Sequence, residues 1–290
     1  MHQSSLPVRS FFVNRPTPTG TTMAKRKSPK TSSISGSKQY DLSKIENKIL
    51  HGDCMKLLPR IPSNSVDLIL ADLPYGTTRN KWDSILPLQD LWDEYRRIAK
   101  EDAAIILTAA QPFTSTLVMS NLKDFKIEWI WQKTIGSGQL NIKHQPLRMH
   151  ESVLVFYSNL PTYNPQMTEG EPYSFTRKAT YEGPGYNKQK DVEVDNTGFR
   201  HPKTVLCFPN PRIKNGHPTQ KPVPLFEYFI NTYSNPGDLV LDNAIGAGTT
   251  AVAALRTGRR FVGMEIDKEY VEMSRRNIKA AAKELKRGSK

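Results

Sequence analysis

Residues 234–267, SNPGDLVLDNAIGAGTTAVAALRTGRRFVGMEID, decide the fold class of this chain. They contain an apolar run, LVLD, followed by a glycine-rich turn, a helical segment and a second apolar run, FVGMEID. Two short apolar runs joined by a helix are typical of a βαβ unit in a parallel sheet. In the turn, Gly246 and Gly248 would let backbone amides approach a ligand at the start of the helix. We therefore expect a nucleotide-type binding turn at this point.

Acidic residues end both apolar runs of this unit. Glu265 lies 23 residues after Asp242, close to the ~20-residue interval at which an acid meets ribose hydroxyls in a doubly wound sheet. The third glycine of a GxGxxG dinucleotide fingerprint is missing, and Thr249 and Thr250 follow the turn instead. A pyrophosphate ligand, and with it a dehydrogenase, is the weaker hypothesis.

The same alternation of apolar runs and helical segments extends back to about residue 48. Strands are predicted in VDLIL, AAIILTA, KIEWIWQK and SVLVFYS, and a helix in PLQDLWDEYRRIAK. A further helix is predicted after Pro222, and a basic amphipathic helix from about Asp267 to Leu285 closes the chain. The apolar residues predicted to share one face of the helix after Pro222 are Leu225, Phe226, Phe229, Ile230 and Tyr233.

Two stretches depart from this alternation. Residues 1–40 are rich in Ser, Thr, Pro and Lys and contain no acid, which predicts a disordered basic tail. Residues 161–216 are rich in Pro, Gly, Tyr, Asn, Lys and Arg, and are too long for an ordinary connecting loop. We therefore predict one domain over residues 41–290, in which a functional insertion separates a first half, 41–160, from a second, 217–290.

The composition points to a polyanionic partner. The chain carries 41 Lys and Arg against 28 Asp and Glu, a formal net charge of +13, which is typical of proteins that bind nucleic acid. No stretch approaches the ~18 apolar residues of a membrane span, so we expect a cytoplasmic protein without a membrane partner. The two cysteines, Cys54 and Cys207, lack the spacing of a metal site or a disulfide framework.

A second candidate site lies in residues 71–83, ADLPYGTTRNKWD, where an acid and an aromatic ring follow the apolar run SVDLIL. Asp-x-Pro-Tyr alone is a weak signal, because such a tetrapeptide is also a common turn. Its place after a predicted strand, with GDC upstream and the glycine-rich turn downstream, favours a functional site.

In combination, these motifs resemble the amino-group DNA methyltransferases of the β (permuted) class. HGDC, DLPY, HPTQKP and DNAIGAGTT follow one another in that family's order, and the similarity runs from roughly residue 48 to 280. The resemblance implies an enzyme that depends on S-adenosylmethionine. It also implies an α/β, Rossmann-like fold with a mostly parallel central sheet and helices on both faces. RNA guanine and protein glutamine methyltransferases place the glycine-rich turn before the tetrad, so the motif order argues against them.

The resemblance also implies a set of cofactor-binding residues. Glu265 would bind the ribose, Asp53 the adenine amino group, and Lys221 the carboxylate of the methionine portion. The remaining residues would surround the methionine portion or lie beside the adenine contact. The full expected set is Asp53, Cys54, Lys221, Asp242, Gly246, Gly248, Thr249, Thr250 and Glu265.

The expected catalytic tetrad is Asp72, Leu73, Pro74 and Tyr75. An exocyclic base nitrogen is a poor nucleophile until acceptors hold its hydrogens, and the Asp72 carboxylate and the Leu73 carbonyl would supply them. Tyr75 would stack on a base flipped out of the duplex, and methyl transfer would be direct and in line.

Two departures from the family pattern stand out. Leu73 replaces the usual proline but keeps its carbonyl group. Asn243 and Ala244 replace the usual Pro-Phe, which removes an aromatic wall beside the cofactor.

The expected activity is methylation of adenine N6 in double-stranded DNA, and the nearest alternative is methylation of cytosine N4. A catalytically impaired DNA-binding protein and an RNA methyltransferase are more remote. Cytosine C5 chemistry is excluded, because neither cysteine has the setting of its nucleophile. The resemblance also suggests a homodimer, a cognate restriction endonuclease and an association with the nucleoid. The basic residues expected to contact DNA are Arg79, Lys81, Arg177, Lys178, Arg200 and Lys203.

Overall fold

The computed structural model of the protein describes residues 38–77, 83–178, 191–211 and 220–288. Nearly all of the predicted tail, and parts of the predicted insertion, lie outside these ranges. Near the start of the described residues, the backbone amide of Tyr40 donates to the carbonyl of Arg60 at 2.7 Å. The guanidinium of Arg60 lies 4.0 Å from the centre of the Tyr40 ring.

The described residues form twelve strands and seven helices, together with two short 3₁₀ turns. The strands are β1 (Lys48–His51), β2 (Val66–Ala71), β3 (Ala99–Ala109), β4 (Phe125–Ser137), β5 (Arg148–Phe156), β6 (Thr168–Glu169), β7 (Tyr173–Arg177), β8 (Val192–Asn196), β9 (Phe199–Arg200), β10 (Val205–Cys207), β11 (Leu239–Asp242) and β12 (Arg260–Glu265). The helices are α1 (Leu42–Ile45), α2 (Cys54–Leu57), α3 (Leu88–Ile98), α4 (Phe113–Ser120), α5 (Val223–Tyr233), α6 (Thr249–Arg256) and α7 (Lys268–Gly288).

Eight strands form the central sheet, in the order β1-β12-β11-β2-β3-β5-β4-β10. The first five of these strands run parallel to one another. Strand β5 is antiparallel to both of its neighbours, and β10 pairs in parallel with β4 at the far edge. The direction of chain progression reverses between β11 and β2, which makes their boundary the topological switch point of the sheet. The predicted α/β fold with a mostly parallel sheet is confirmed.

Helices cover both faces of this sheet, as predicted. Side chains of β2 alternate between the two faces: Ile69 packs with the buried residues of α3 and α4, whereas Leu68 and Leu70 pack with those of α5 and α6. The helix predicted after Pro222 forms as α5, and all five residues of its predicted apolar face are buried. Because both faces are covered, the strands are near-continuous apolar runs.

The region predicted as an insertion is built differently. Its described part forms two small antiparallel ribbons, β6 with β9 and β7 with β8, and contributes β10 to the central sheet. Every residue of β7 is exposed. In the described residues, no helix has the length and apolar character of a membrane span, and His, Cys, Asp and Glu nowhere form a group of three or more suited to a metal ion.

Candidate active site

Four acidic residues lie at the carboxyl edge of four neighbouring parallel strands. Asp53 follows β1, Glu265 ends β12, Asp242 ends β11 and Asp72 follows β2. Parallel strands present their carboxyl ends at the same edge of a sheet, so residues from both ends of the chain meet here. In open α/β sheets, ligands bind outside this edge at the switch point, which is here the boundary between Asp242 and Asp72.

A single cavity of about 610 Å³ occupies this edge, a size within the ~300–1,000 Å³ of small-molecule sites. All four tetrad residues line it, together with all nine expected cofactor residues except Gly248. The φ angle of Gly248 is +89°, and an added Cβ would lie 3.0 Å from the Cβ of Ser274 in α7. Gly248 thus lets the turn form and lets α7 approach it closely.

The carboxylate of Asp72 is the most densely hydrogen-bonded group at the site. Lys221 Nζ donates to its Oδ1 at 2.8 Å and to its Oδ2 at 2.7 Å. The hydroxyls of Thr108 and Tyr75 also donate to Oδ1. Asp72 is therefore held in one orientation by groups from β3, from its own tetrad and from the segment that precedes α5.

Two further charged side chains complete this network. Glu151, near the start of β5, lies 3.3 Å from Lys221 Nζ and 2.5 Å from Lys133 Nζ of β4. Burial alone would lower the pKa of Lys221, but the carboxylates of Asp72 and Glu151 raise it above its ordinary value. Burial would likewise raise the pKa of Glu151, yet Lys221 and Lys133 hold it below its ordinary value. Two acidic and two lysine side chains thus share one largely buried cluster, in which Lys221 and Glu151 favour each other's charged forms.

Tyr75 is fixed by both its hydroxyl and its ring. The hydroxyl lies 2.9 Å from Asp72 Oδ1 and 3.0 Å from Thr108 Oγ1, and the ring stacks on Phe113 with centroids 5.4 Å apart. Burial, with smaller contributions from Asp72 and Glu151, raises the pKa of Tyr75 well above its ordinary value. The hydroxyl therefore stays protonated, and can donate a hydrogen bond, across the physiological pH range.

Asp242 is a buried carboxylate with a different environment. It accepts hydrogen bonds from the Ala244 amide at 2.9 Å and from the Thr250 hydroxyl. Only 2% of its surface is exposed, and in the described part of the chain no Lys or Arg forms an ion pair with it. Burial raises its pKa from 3.8 to about 7. A cationic ligand group is therefore the partner that this carboxylate still lacks.

The remaining acids of the edge bind backbone amides. Glu265 accepts from Gly246 at 2.8 Å and from Asp267 at 2.9 Å, and burial raises its pKa. Asp53 caps α2 by accepting from the Met55 amide at 3.0 Å. Each carboxylate keeps acceptor capacity for a ligand, because its oxygens have about four lone-pair sites.

The two departures from the family pattern are accommodated in the core. Leu73 is only 3% exposed. Asn243 is buried as well, where its Oδ1 accepts from the Tyr95 hydroxyl at 2.5 Å and its amide donates to Cys54 Sγ at 3.6 Å. Ala244 lines the cavity, and the aromatic side chains that line it elsewhere include Phe226 and Tyr270.

The loop after the tetrad is anchored by Asp83. Its carboxylate accepts from the amides of Gly76 at 2.8 Å and Thr77 at 3.0 Å. Arg79 and Lys81, expected to contact DNA, lie outside the described residues.

The other residues expected to contact DNA lie apart from the cavity. Arg177, Lys178 and Lys203 are exposed. Arg200 of β9 is engaged by the neighbouring β7–β8 ribbon and by the segment before it: its guanidinium donates to Asn196 and to the carbonyl of Glu171, and lies 4.5 Å from the centre of the Tyr173 ring.

Sequence reasoning missed Thr108, Lys133 and Glu151. Lys133 and Glu151 stand at the ends of two predicted strands, KIEWIWQK and SVLVFYS, and this was the available signal. Only the antiparallel pairing of β4 with β5, which places Trp131 opposite Glu151, brings the two charges together.

Comparison with known proteins gives the class. The profile of the N6/N4 methyltransferase family, described as DNA methylase, matches residues 66–276. DNA adenine methyltransferase YhdJ of Escherichia coli (strain K12) is 30% identical over 250 residues, which cover 81% of this chain and 83% of YhdJ. Type II methyltransferase M.BglII of Bacillus subtilis is 29% identical over 252 residues, 79% of this chain and 68% of M.BglII.

A solved structure supports the fold. The M1.HpyAVI–SAM complex aligns with a TM-score of 0.55 and 22% sequence identity, over 79% of this chain and 98% of that one. The chain belongs to the N6/N4 DNA methylase family. It is accordingly a DNA methyltransferase of the class that modifies exocyclic amino groups of adenine or cytosine.

The raised pKa of Asp242 predicts a pH-dependent stability. Its folded-state pKa of about 7 exceeds the ordinary 3.8. The contribution of the protonated carboxyl group to the free energy of unfolding is therefore fully present below pH 3.8 and is lost as the pH rises through 7. Asp242→Asn removes this loss. Relative to wild type, the free energy of unfolding of Asp242→Asn in urea should therefore rise by roughly 2–3 kcal/mol between pH 5 and pH 8.

The matched control is Asp195→Asn, at an exposed position of β8, which should show the same difference from wild type at both pH values. An Asp242→Asn difference that does not change with pH would contradict the ionisation assigned to Asp242.

Proposed function

We propose that this protein is a site-specific DNA methyltransferase that transfers a methyl group from S-adenosylmethionine to N6 of adenine. The observation that carries the proposal is the cavity in which the tetrad that follows β2 meets Asp242 at the end of β11, Gly246 in the turn after it, and Glu265 at the end of β12. This arrangement lets one chain hold a methyl donor and a target base side by side. Proximity of this kind supplies much of the acceleration of a transfer reaction.

The cavity fits the cofactor chemically. Asp242, buried and without a cationic side chain as partner, suits the ammonium of the methionine portion. Glu265 at the end of β12 suits ribose hydroxyls, and Asp53 suits the adenine amino group. When bound, S-adenosylmethionine supplies an electrophilic methyl group on a sulfonium.

On the target side, we propose that Asp72 and the carbonyl of Leu73 accept the two hydrogens of the base amino group. Thr108 and Lys221 hold the Asp72 carboxylate in place, so the acceptor is oriented before the base arrives. Tyr75, stacked on Phe113, is positioned to pack against the flipped base. Stacking and edge contacts would offset part of the free energy of opening the base pair.

We also propose the permuted class and the domain division. The strand that carries the glycine turn, β11, comes late in the chain, yet it lies in the sheet beside β2, which carries the tetrad. Residues 41–160 then form the catalytic half, 217–290 the cofactor half, and 161–216 the target-recognition insertion, with 1–40 a basic tail.

We place DNA on the basic residues of the insertion, where Arg177, Lys178 and Lys203 are exposed. We propose that Arg200, and Arg79 and Lys81 of the sequence that follows the tetrad, contact DNA as well. The site of action would be the nucleoid in the cytoplasm. M.BglII is named a type II methyltransferase, and we extend from it the proposal of a cognate restriction endonuclease. We also propose that the protein forms a homodimer.

Adenine is favoured over cytosine because the relative YhdJ is named a DNA adenine methyltransferase. Incubation of unmethylated DNA with S-adenosylmethionine, followed by nucleoside mass spectrometry, should yield N6-methyladenine. N4-methylcytosine would select the alternative within the same class. Methylated RNA without product in DNA would refute both.

The control for this experiment is Asp72→Ala. We expect it to abolish methylation, because the base amine loses its side-chain acceptor, while cofactor affinity measured by calorimetry stays within a few-fold of wild type. Glu151 remains to pair with Lys221 in this variant but then balances Lys133 as well, so the thermal midpoint is measured alongside to confirm that the variant is folded. Turnover near the wild-type rate would show that the tetrad is not the catalytic group.

Lys221 offers a second test. At saturating cofactor, we expect Lys221→Met to lower turnover about ten- to a hundredfold, because Asp72 loses the donor that orients both of its oxygens. Lys133→Met is the matched control: it removes a buried ammonium that contacts Glu151 but not Asp72, and its turnover should fall less. Equal losses in the two variants would indicate a structural role for both lysines. A parallel rise in the cofactor dissociation constant of Lys221→Met would support the assigned contact with the cofactor carboxylate.

A further inference from the structure

The loop that joins β4 to β5, residues 138–147, presents apolar side chains that the described part of the chain leaves largely uncovered. Leu140 is fully exposed and Ile142 is 60% exposed, whereas most large apolar side chains of the protein are buried. Exposed apolar residues that lie together mark a binding surface more often than isolated ones do.

Hydrogen bonds within the loop hold it in one shape. The amides of Asn141 and Ile142 donate to the carbonyls of Gly138 and Gln139, and the carbonyl of Asn141 accepts from His144 and Gln145. At its base, Ser137 pairs with Arg148 across the two strands. Leu140 therefore lies in a loop whose shape is fixed by backbone hydrogen bonds.

The base of this loop lines the active-site cavity. Ser137, Gly138 and Arg148, which flank or begin the loop, line the same cavity as Asp72 and Tyr75. A molecule bound in this cavity therefore lies against the base of the loop that carries Leu140.

The charge of the segment identifies the partner. Residues 134–150 include Lys143 and Arg148, with His144 and His150, and contain no acid. A basic rim around an apolar tip suits a polyanion that also exposes apolar surface, which is the chemistry of a DNA duplex opened at one base pair.

We propose that the 138–147 loop is a DNA-opening wedge: Leu140 occupies the space that the flipped base leaves in the duplex, and Lys143 and Arg148 contact the flanking phosphates. This inference rests on the proposed function and adds a group that keeps the base out of the stack. Apolar side chains inserted between bases in this way stabilise unstacked DNA.

The test compares Leu140→Ala with wild type on two synthetic duplexes that carry the methylation site mapped for the wild-type enzyme. The first duplex is fully paired, and the second has a mismatch at the target base, which lowers the free energy of flipping. On the paired duplex, kcat/KM of Leu140→Ala should fall by about tenfold or more, and on the mismatched duplex by no more than about twofold.

The matched control is Leu160→Ala. Leu160 is 83% exposed and follows the other end of β5, away from the cavity edge. It should leave kcat/KM unchanged on both duplexes. Cofactor affinity and the thermal midpoint of Leu140→Ala should equal those of wild type, because Leu140 has no intramolecular packing to lose.

Equal losses on the two duplexes, or none on either, would overturn the wedge while leaving the proposed function intact. A change in the sedimentation mass of free Leu140→Ala would instead assign the loop to a subunit interface and would also overturn it. Absence of a methylated DNA product with the wild-type enzyme would refute the proposed function itself, and the wedge with it.

Discussion

The parallel pairing of β11 with β2 is the constraint on which the rest of the site depends. Val240 lies opposite Leu68 and Leu241 opposite Ile69, which brings the ends of these two strands, and so Asp242 and Asp72, side by side at one edge of the sheet. The strands are separated by most of the chain, and apolar burial on both faces of the sheet holds them together. A shift of one residue in this register would turn every side chain of a strand to the other face, so packing of the core and assembly of the site are the same event.

The buried ionisable groups at this edge of the sheet have two different kinds of environment. The cluster of Asp72, Glu151, Lys133 and Lys221 balances itself, which fixes geometry at a desolvation cost that the paired charges offset. Asp242 has only neutral hydrogen-bond donors as partners. Under the proposed function, the first arrangement orients Asp72 before the substrate arrives, and the second leaves room beside Asp242 for a cationic group of the ligand. The division follows the sheet, with the balanced cluster on the β2, β3 and β5 side and the open carboxylate on the β11 side.

Much of the fold was predictable from local patterns, since helical and strand periodicities report directly on burial. Examples are the five residues predicted for the apolar face of α5 and the strands predicted in VDLIL and FVGMEID. The insertion was recognisable by composition, yet its two ribbons were not, because exposed strands such as β7 lack the apolar alternation that marks a buried one. Arg200 shows the same limit: its sequence context suggested a free cation, but in the folded insertion its guanidinium contacts Asn196, Glu171 and Tyr173.

The sequence by itself determined which chemical groups end which strands: Asp72 with its tetrad, Asp242 with its glycine turn, and Glu265. These are local properties of strand ends and turns, so they can be found without knowing the neighbours. Only the tertiary structure decided that Thr108 and Lys221 bind Asp72, that Glu151 links Lys221 to Lys133, and that Asn243 is held by Tyr95. Such partnerships depend on strand order and register across the sheet, and a hydrogen bond or ion pair requires contact within a few ångströms between residues that are distant in the chain.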